Sequence, residues 1–236
     1  MAYLIHLLPI LLPLLFWAVY HYYKDRHLPE PLTHLVLAFL LGIGSYYLGA
    51  MMYRALGLFG LRFDAYQLAQ TSLPVLIAYA ILAIGIIEEL AKMVPFLLII
   101  VRLKDFNEPI DGIIYASFIA LGFAAMENIQ HLPFLSPKEA WARGFAGPLI
   151  HIVFASVWGF YIGKAYLCGR APGRTIVFTL LLSAILHGAY DGMVIARPES
   201  ALPLAALLIV TVWIWRLQLI RGLHMLPPDP CPLDEE

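Results

Sequence analysis

Long apolar runs separated by short polar stretches occupy almost the whole of this chain. Of its 236 residues, 61% are hydrophobic and 13% are charged, whereas a soluble domain has about 25% charged residues. So few polar residues could not cover the surface of a folded protein in water. The apolar runs therefore predict helices that cross a bilayer, each of which needs roughly 20 apolar residues. Seven segments meet this need, at about 2–22, 32–52, 74–101, 110–131, 145–167, 174–196 and 200–220.

The distribution of lysine and arginine predicts the orientation, because cytoplasmic segments carry an excess of both. With the N-terminus outside, the outer segments hold five basic residues: Arg54, Arg62, Lys138, Arg143 and Arg197. The cytoplasmic segments then hold nine: Lys24, Arg26, Arg102, Lys104, Lys164, Arg170, Arg174, Arg216 and Arg221. The opposite orientation would invert the rule, so we predict an N-terminus outside and a C-terminus in the cytoplasm.

These features predict an all-α fold, a polytopic transmembrane helical bundle of about seven spans in the cell membrane. Residues 1–222 are expected to form a single transmembrane domain, and residues 223–236 a short, disordered cytoplasmic tail. Because Cys168 and Cys231 both fall in segments assigned to the cytoplasm, we expect no disulfide. The formal net charge of -1 and the lack of a block of like charge give no sign of a nucleic-acid partner.

Ionisable side chains inside the third segment predict a function, because an acid or base within a span is energetically costly. Glu88 and Lys92 are four residues apart and share a helix face, so they are able to pair. Glu89 points about 100° away from Glu88. Two carboxylates in different environments suit acid–base chemistry, whereas the plainer interpretation is a Glu88–Lys92 pair that only stabilises the bundle.

Three further segments contain polar groups at helical spacing. They carry Phe123, Glu127 and Asn128 in the fourth, His151 in the fifth, and His187 and Asp191, four residues apart, in the sixth. A carboxylate beside a histidine fixes its tautomer and charge. Plainer interpretations remain open: Glu127 could reach water at the membrane surface, and Asn128 or the histidines could be hydrogen-bond partners between helices.

The depth of these groups in the membrane predicts a shared pocket. In the predicted orientation the acids and histidines of the fourth, fifth and sixth segments lie in the outer half of their helices. Glu88 and Glu89 lie about 14 residues below the outer end of theirs, roughly 20 Å, and a late start or tilt of that helix would bring them level with the others. We expect a pocket that opens outward and admits water, because dry hydrocarbon would keep carboxylates neutral.

Four motifs, in this order along the chain, resemble those of the PrsW family of intramembrane proteases. They are residues 88–92, which are similar to E-E-x-x-K; residues 108–115 together with 122–128; His151 followed by Gly159; and residues 186–191, which contain H-x-x-x-D. The resemblance covers roughly residues 20–195. It implies a helical fold shared with CAAX-processing prenyl endopeptidases and bacteriocin-immunity-type membrane proteins.

The resemblance also implies an activity. The family is known for the first, extracytoplasmic cut in a membrane-anchored anti-sigma factor, so the expected partner is a single-pass membrane protein substrate in the lipid bilayer. The CAAX endopeptidases have a histidine where this chain has Glu127. The supporting role that the histidine has in those enzymes therefore cannot be assigned to Glu127 of this chain.

The leading hypothesis is glutamate-type peptide hydrolysis without a cofactor. One of the paired glutamates would take a proton from water, and the H-x-x-x-D pair, or Asn128, would stabilise the oxyanion. Glu127 and His151 would orient water or the leaving amine, and Lys92 would keep one glutamate ionised. The expected catalytic residues are Glu88, Glu89, Glu127, His151, His187 and Asp191, supported by Lys92, Asn128 and Phe123.

Three alternatives remain open at this point. A zinc metallopeptidase could use the same cluster, with Glu88, Glu127, His151 and His187 as ligands, although the H-E-x-x-H signature is absent. A proton-coupled transporter would also place acids and histidines inside spans. A scaffold that binds a partner's transmembrane helix without catalysis is the third.

Overall fold

A computed structural model describes residues 2–24, 28–196 and 201–225, with side chains described from residue 7 onward. The described residues contain helices and no strand, which confirms the all-α prediction. The α-helices are α1 (Ala2–Lys24), α2 (Leu32–Leu58), α3 (Ala65–Thr71), α4 (Leu73–Tyr79), α5 (Ile86–Leu98), α6 (Pro109–His131), α7 (Pro137–Leu167), α8 (Gly173–Ala196) and α9 (Ala201–Leu223). The predicted tail falls largely on residues 226–236, outside the described residues.

Six helical segments of the described chain are long and apolar enough to cross a membrane. They are Leu32–Leu58, Leu73–Arg102, Pro109–Phe134, Pro137–Leu167, Gly173–Ala196 and Ala201–Leu223. They correspond to the last six of the seven predicted spans and support a multi-pass membrane protein. The first predicted span forms α1 but is not among the six, so its crossing of the membrane, like the orientation, stays a prediction.

Helices α6 and α7 form the centre of the bundle. In the apolar stretches of these two helices 89% and 78% of residues are buried, against 28–33% in the other four segments that qualify as spans. The two helices pack closely at Gly112 and Gly159, where a Cβ on either residue would collide with the backbone carbonyl of the other. Small residues at such a crossing let membrane helices approach closely. All the predicted site residues lie on these two helices or on α5 and α8, which pack against them.

The third predicted span is interrupted. A π-helical segment, Ala80–Gly85, joins α4 to α5, and a 3₁₀ turn follows at Ile100–Arg102. Single π-turns inside helices occur frequently at functional sites. Apolar periodicity alone does not reveal this interruption, because the composition of the segment stays uniformly apolar across it.

Helix α7 begins eight residues earlier than the predicted fifth span. The stretch Pro137 to Glu139 lies between the predicted fourth and fifth spans, but it is the first turn of α7. Ser136 caps the helix by accepting from the Glu139 backbone N–H, and the Glu139 carboxylate accepts from the Ser136 N–H at 2.9 Å. This capping box extends the helix outward and brings its first turns beside the end of α6.

Two predictions about single residues are wrong. Arg216, counted among the cytoplasmic residues, is wholly buried in the bundle, where it donates to Ser156 Oγ at 2.8 Å and Ser117 Oγ at 3.1 Å. Cys168 is disulfide-bonded, whereas its assigned compartment led us to expect a free thiol; Cys231 lies outside the described residues. Removing Arg216 from the count leaves the cytoplasmic excess of basic residues in place.

Candidate active site

The six predicted catalytic side chains converge between α5, α6, α7 and α8. The contacts form a continuous chain of short distances. They are Glu127 Oε2 to His151 Nε2 at 2.6 Å, His151 Nδ1 to Glu88 Oε2 at 4.0 Å, Glu88 Oε2 to His187 Nε2 at 3.8 Å, His187 Nδ1 to Glu89 Oε1 at 2.7 Å, and His187 Nε2 to Asp191 Oδ2 at 3.6 Å. The structure brings the six residues together, while their catalytic role stays a prediction.

The π-helical segment sets the position of the two glutamates. It packs against α8 so closely that a Cβ on Gly188 would collide with the backbone of Ala80 and Ile81, and a Cβ on Gly85 would meet the backbone of Ala184. The wider π turn ends at Gly85, directly before α5 begins at Ile86, so it sets the rotation at which α5 begins. Glycine at both positions is therefore needed for α5 to present its first turn to α8.

Glu89 lies on the sealed side of this cluster. It is wholly buried, and its carboxylate accepts from Lys92 Nζ at 2.6 Å, from Trp158 Nε1 at 2.9 Å and from His187 Nδ1 at 2.7 Å. The predicted Glu88–Lys92 pair is wrong, because Lys92 pairs with Glu89 three residues away. Positions i+3 and i+4 lie on the same helix face, and the neighbouring α7 and α8 decide which of the two is used.

Glu88 lies on the open side. It is 9% exposed, lines a cavity, and its Oε2 atom has no hydrogen-bond partner among the described residues. Both histidine rings face this atom, at 3.8 Å and 4.0 Å. A buried carboxylate oxygen without a donor is costly, and its orientation towards a cavity makes water or a substrate group the natural partner.

The two histidines are each held by a carboxylate. His187 donates Nδ1–H to Glu89, so the short contact that orients it comes from Glu89 and not, as the H-x-x-x-D spacing suggested, from Asp191. His151 faces Lys92 Nζ with Nδ1 at 3.1 Å and Glu127 with Nε2 at 2.6 Å. Since a lysine ammonium only donates, the network assigns the His151 proton to Nε2.

Glu127 does not simply reach the membrane surface. Besides its contact with His151, it accepts from Arg143 at 2.6 Å. Arg143 was assigned to an outer segment, and the early start of α7 is what brings it to α6. Trp158 was likewise missed, although it lies seven residues after His151, hence on the same face of α7, and a buried indole N–H usually needs an acceptor.

The three supporting residues differ in their relation to the site. The Lys92 ammonium lies 4.8 Å from the centre of the Phe123 ring, and that ring lies 5.3 Å from the His151 ring, so both frame the sealed side. Asn128 is 3% exposed, packs against Gly147, and neither atom of its amide has a partner among the described residues. It does not line the cavity, so it is poorly placed to stabilise an oxyanion.

A cavity of about 730 Å³ gives access to the cluster. Its floor is formed by Glu88, Glu127, His151, His187 and Asp191. Its opposite end is lined by the end of α2, the turn that follows it, the start of α7 and the end of α8. In the predicted orientation this end is the extracytoplasmic one, which agrees with the expected outward-opening pocket.

The cluster also has the composition of a metal centre. One ligand atom each from Glu88, His151 and His187 lies within 4.8 Å of the other two, and two histidines with a glutamate form a known catalytic zinc set. Each histidine has a carboxylate on its other nitrogen, as metal-bound histidines usually do. Glu127, predicted as a fourth ligand, instead contacts the far nitrogen of His151 and Arg143. The three residues fit a metal, with Lys92 competing for His151 Nδ1.

Comparison with known proteins identifies relatives over most of the chain. The Protease PrsW of Clostridioides difficile is 30% identical over 217 residues, covering 89% of this chain and 86% of that protein. The Protease PrsW of Geobacillus kaustophilus is 29% identical over 195 residues, covering 82% and 81%. That of Bacillus subtilis is 29% identical over 176 residues, covering 73% and 74%.

A family model described as PrsW family intramembrane metalloprotease matches residues 30–217. No solved structure matches the chain. The matched region contains every helix that contributes to the cluster, and the matched relatives are named proteases. The chain therefore belongs to the PrsW family of intramembrane proteases.

Proposed function

We propose that this protein hydrolyses a peptide bond of a membrane-anchored substrate near the extracytoplasmic side, with Glu88 as the general base. The observation that carries the proposal is the difference between the two glutamates. Glu88 faces the cavity with an oxygen that has no partner in the part of the chain that the structure describes, whereas Glu89 receives three short contacts from protein groups. Glu89 is accordingly a positioning residue, and only Glu88 has room for a reacting water.

The first step is proton transfer to Glu88. A water in the cavity gives a proton to the Glu88 carboxylate while its oxygen attacks the scissile carbonyl carbon. The new C–O bond pushes the carbonyl electrons onto oxygen, which becomes an oxyanion. The step balances within the protein, because the proton stays on Glu88 and no other reactant is needed.

His187 is the proposed oxyanion donor. Its ring is fixed by Glu89, and its Nε2 atom points to the same space as Glu88 Oε2. Three carboxylates lie around the ring, at 2.7, 3.6 and 3.8 Å, so acceptors face both N–H groups of the proposed imidazolium. In that form Nε2–H donates to the oxyanion, and preorganised donors of this kind contribute strongly to acyl-transfer catalysis.

Collapse of the tetrahedral intermediate completes the reaction. The oxyanion electrons re-form the carbonyl, the C–N bond breaks, and the proton held by Glu88 passes to the leaving amine nitrogen. Glu127 and His151 border the same floor and orient the water or the amine. Asp191 lies 3.6 Å from His187 Nε2, and its proposed role is a weaker, electrostatic one.

A metal-dependent variant of this reaction is the second candidate. The mutual distances of Glu88, His151 and His187 favour it, as does the description of the matching family model. A metal held by these three residues would supply Lewis-acid polarisation of the carbonyl. We place it second because the Lys92 ammonium already faces His151 Nδ1 at 3.1 Å and would have to leave that nitrogen.

The substrate class follows from the membrane setting and the resemblance. A single-pass protein whose outer juxtamembrane segment unfolds into the cavity is the proposed substrate, and a membrane-anchored anti-sigma factor receiving its first cut is the proposed example. A transporter is not supported, because the matched relatives are named proteases.

Cleavage by purified protein tests the proposal and separates the two mechanisms. The wild type and Glu88→Gln are incubated in detergent with single-pass candidate substrates, and products are identified by mass spectrometry. We expect Glu88→Gln to lower the rate at least about 100-fold, the usual loss when a general base is removed.

Wild-type activity that survives chelation, in protein shown to be metal-free, supports the glutamate mechanism. Activity that is lost with the metal and restored by zinc supports the metal-dependent one. Full activity in Glu88→Gln contradicts both.

A further inference from the structure

Two arginines line the outer part of the cavity and have no carboxylate partner among the described residues. Arg54 lies near the end of α2 and Arg62 in the turn that follows it, and both line the cavity. Within the described chain neither makes an ion pair or hydrogen bond, while the third arginine of the cavity, Arg143, is paired with Glu127. The outer side is also the side on which basic residues are predicted to be scarce. We call Arg54 and Arg62 the rim arginines.

The acidic residues near the rim are engaged elsewhere. Asp64 follows Arg62 directly, but its carboxylate caps α3 by accepting from Tyr66 N at 2.9 Å and Gln67 N at 3.2 Å. Glu139 accepts from Ser136 in the capping box of α7. The rim of the cavity thus presents positive charge, and the carboxylates of Glu88, Glu127 and Asp191 lie on its floor.

The turn that carries Arg62 is fixed to the wall of the cavity. The Phe63 backbone N–H donates to the Tyr79 hydroxyl at 3.3 Å, and the two rings make an edge contact at 5.6 Å. The Arg62 stem also lies alongside α2, since its Cδ would be 3.7 Å from a Cβ on Gly57. Arg62 is therefore held beside the cavity and not on a free loop.

The height of the rim above the floor sets a spacing. A Cβ on Gly49 would lie 3.7 Å from Ala91 Cβ and 3.9 Å from Ile87 Cγ2, so Gly49 is level with the turn that carries Glu88. Arg54 lies one and a half turns further along α2, about 7.5 Å higher at 1.5 Å per residue. An extended peptide covers that height in about two to three residues at roughly 3.3 Å each.

We propose that Arg54 and Arg62 form a specificity subsite that selects substrates carrying Asp or Glu about two to three residues from the scissile bond, on its extracytoplasmic side. The inference rests on the proposed function, because it assumes that the bond to be cut lies at Glu88. Lipid phosphates are the other anions within reach of exposed arginines. The cavity-lining position of both residues favours a peptide carboxylate, which enters the cavity with the substrate.

Binding to an inactive protein tests this subsite apart from the chemistry. The parent protein carries Glu88→Gln and is kept in an uncharged detergent. The probes are three fluorescent single-span peptides whose outer segment has Asp-Asp, Asn-Asn or Lys-Lys at the predicted positions. We expect the Asp-Asp peptide to bind about tenfold more tightly than the Asn-Asn peptide, with a preference that shrinks at high salt.

Two variants and one control decide the outcome. Arg54→Gln with Arg62→Gln should abolish the preference, and Arg54→Glu with Arg62→Glu should transfer it to the Lys-Lys peptide. Lys138→Glu makes the same change of net charge as the double glutamine variant, at the same end of the protein, but Lys138 does not line the cavity, so the preference should stay. Equal binding of the Asp-Asp and Asn-Asn peptides by the parent would overturn the inference. So would a preference that survives in the glutamine variant.

The outcomes also separate this inference from the proposed function. Protein with Glu88 intact is incubated with the same peptides and the products are analysed. A charge preference in binding without any cleavage would leave the rim subsite standing and count against the protease chemistry. Cleavage at the same rate for all three peptides would support the protease chemistry and count against the rim subsite. Repeating the binding with anionic lipid added tests the lipid alternative, which predicts that the lipid alone occupies the arginines and erases the preference.

Discussion

Glu88 and Glu89 are neighbours in the chain but lie in opposite surroundings. Glu89 is enclosed by Lys92, Trp158 and His187, which supply three short contacts. Glu88 shares the same helical turn, yet it faces a cavity, and none of the described residues gives its Oε2 atom a hydrogen-bond partner. The difference teaches that a buried charge alone does not mark a reacting group: one carboxylate anchors the cluster, and access to water distinguishes the other.

The buried arginine of α9 supports the same lesson. Arg216 is as buried as Glu89 and is held by two serine hydroxyls. It lies in a span, so by the reasoning applied to the glutamates it would count as a functional residue. It lines neither the cavity nor the cluster, and its contacts join α9 to α6 and α7. Its role is therefore structural.

The largest difference between the two glutamates is expected in stability. Glu89→Gln removes the negative partner of Lys92. The side chains of Glu89 and Lys92 are both fully buried, and breaking a buried pair in this way costs about 3–5 kcal/mol. Glu88→Gln removes no ion pair of this kind and should cost under about 1 kcal/mol. The measurement is the free energy of unfolding of both variants in the same detergent. A larger loss in Glu88→Gln would reverse the assignment of anchor and base.

A smaller effect is expected when one donor to the anchor is removed. Trp158→Phe leaves Glu89 Oε2 without its indole partner, which should cost about 1–3 kcal/mol of stability. It should also lower the cleavage rate modestly, because His187 is oriented through Glu89. Trp141→Phe on the same helix is the matched control, since Trp141 is 39% exposed and its change should stay within about 0.5 kcal/mol. Equal losses in the two variants would mean that the Trp158 hydrogen bond has no special part in the anchor.

Much of the fold was accessible from the sequence because lipid imposes a simple rule. Six of the seven apolar segments form the span-length helices, and α6 runs within a residue of its prediction. The deviations arise where a local interaction overrides composition. Ser136 and Glu139 start α7 early through a capping box, and the close approach of Gly188 accompanies a π turn within an unbroken apolar run.

The site residues were accessible as a set, but their division of roles was not. Spacing and resemblance together named the six side chains that converge. The choice between i+3 and i+4 pairing of Lys92 depends on what α7 and α8 place beside α5, and that information is not local. Arg143 and Trp158 were missed for the same reason, since each acts through a partner on a different helix.

Chemical rescue tests the central claim most directly, because it asks both whether a carboxylate is required and whether the cavity can deliver one. Glu88→Ala and Glu89→Ala are assayed for cleavage with increasing formate. We expect formate to enter the cavity and raise the activity of Glu88→Ala at least about tenfold by acting as the general base. It should leave Glu89→Ala unchanged, because that position is sealed. Rescue of Glu89→Ala alone, or no rescue of a folded Glu88→Ala, would contradict the account.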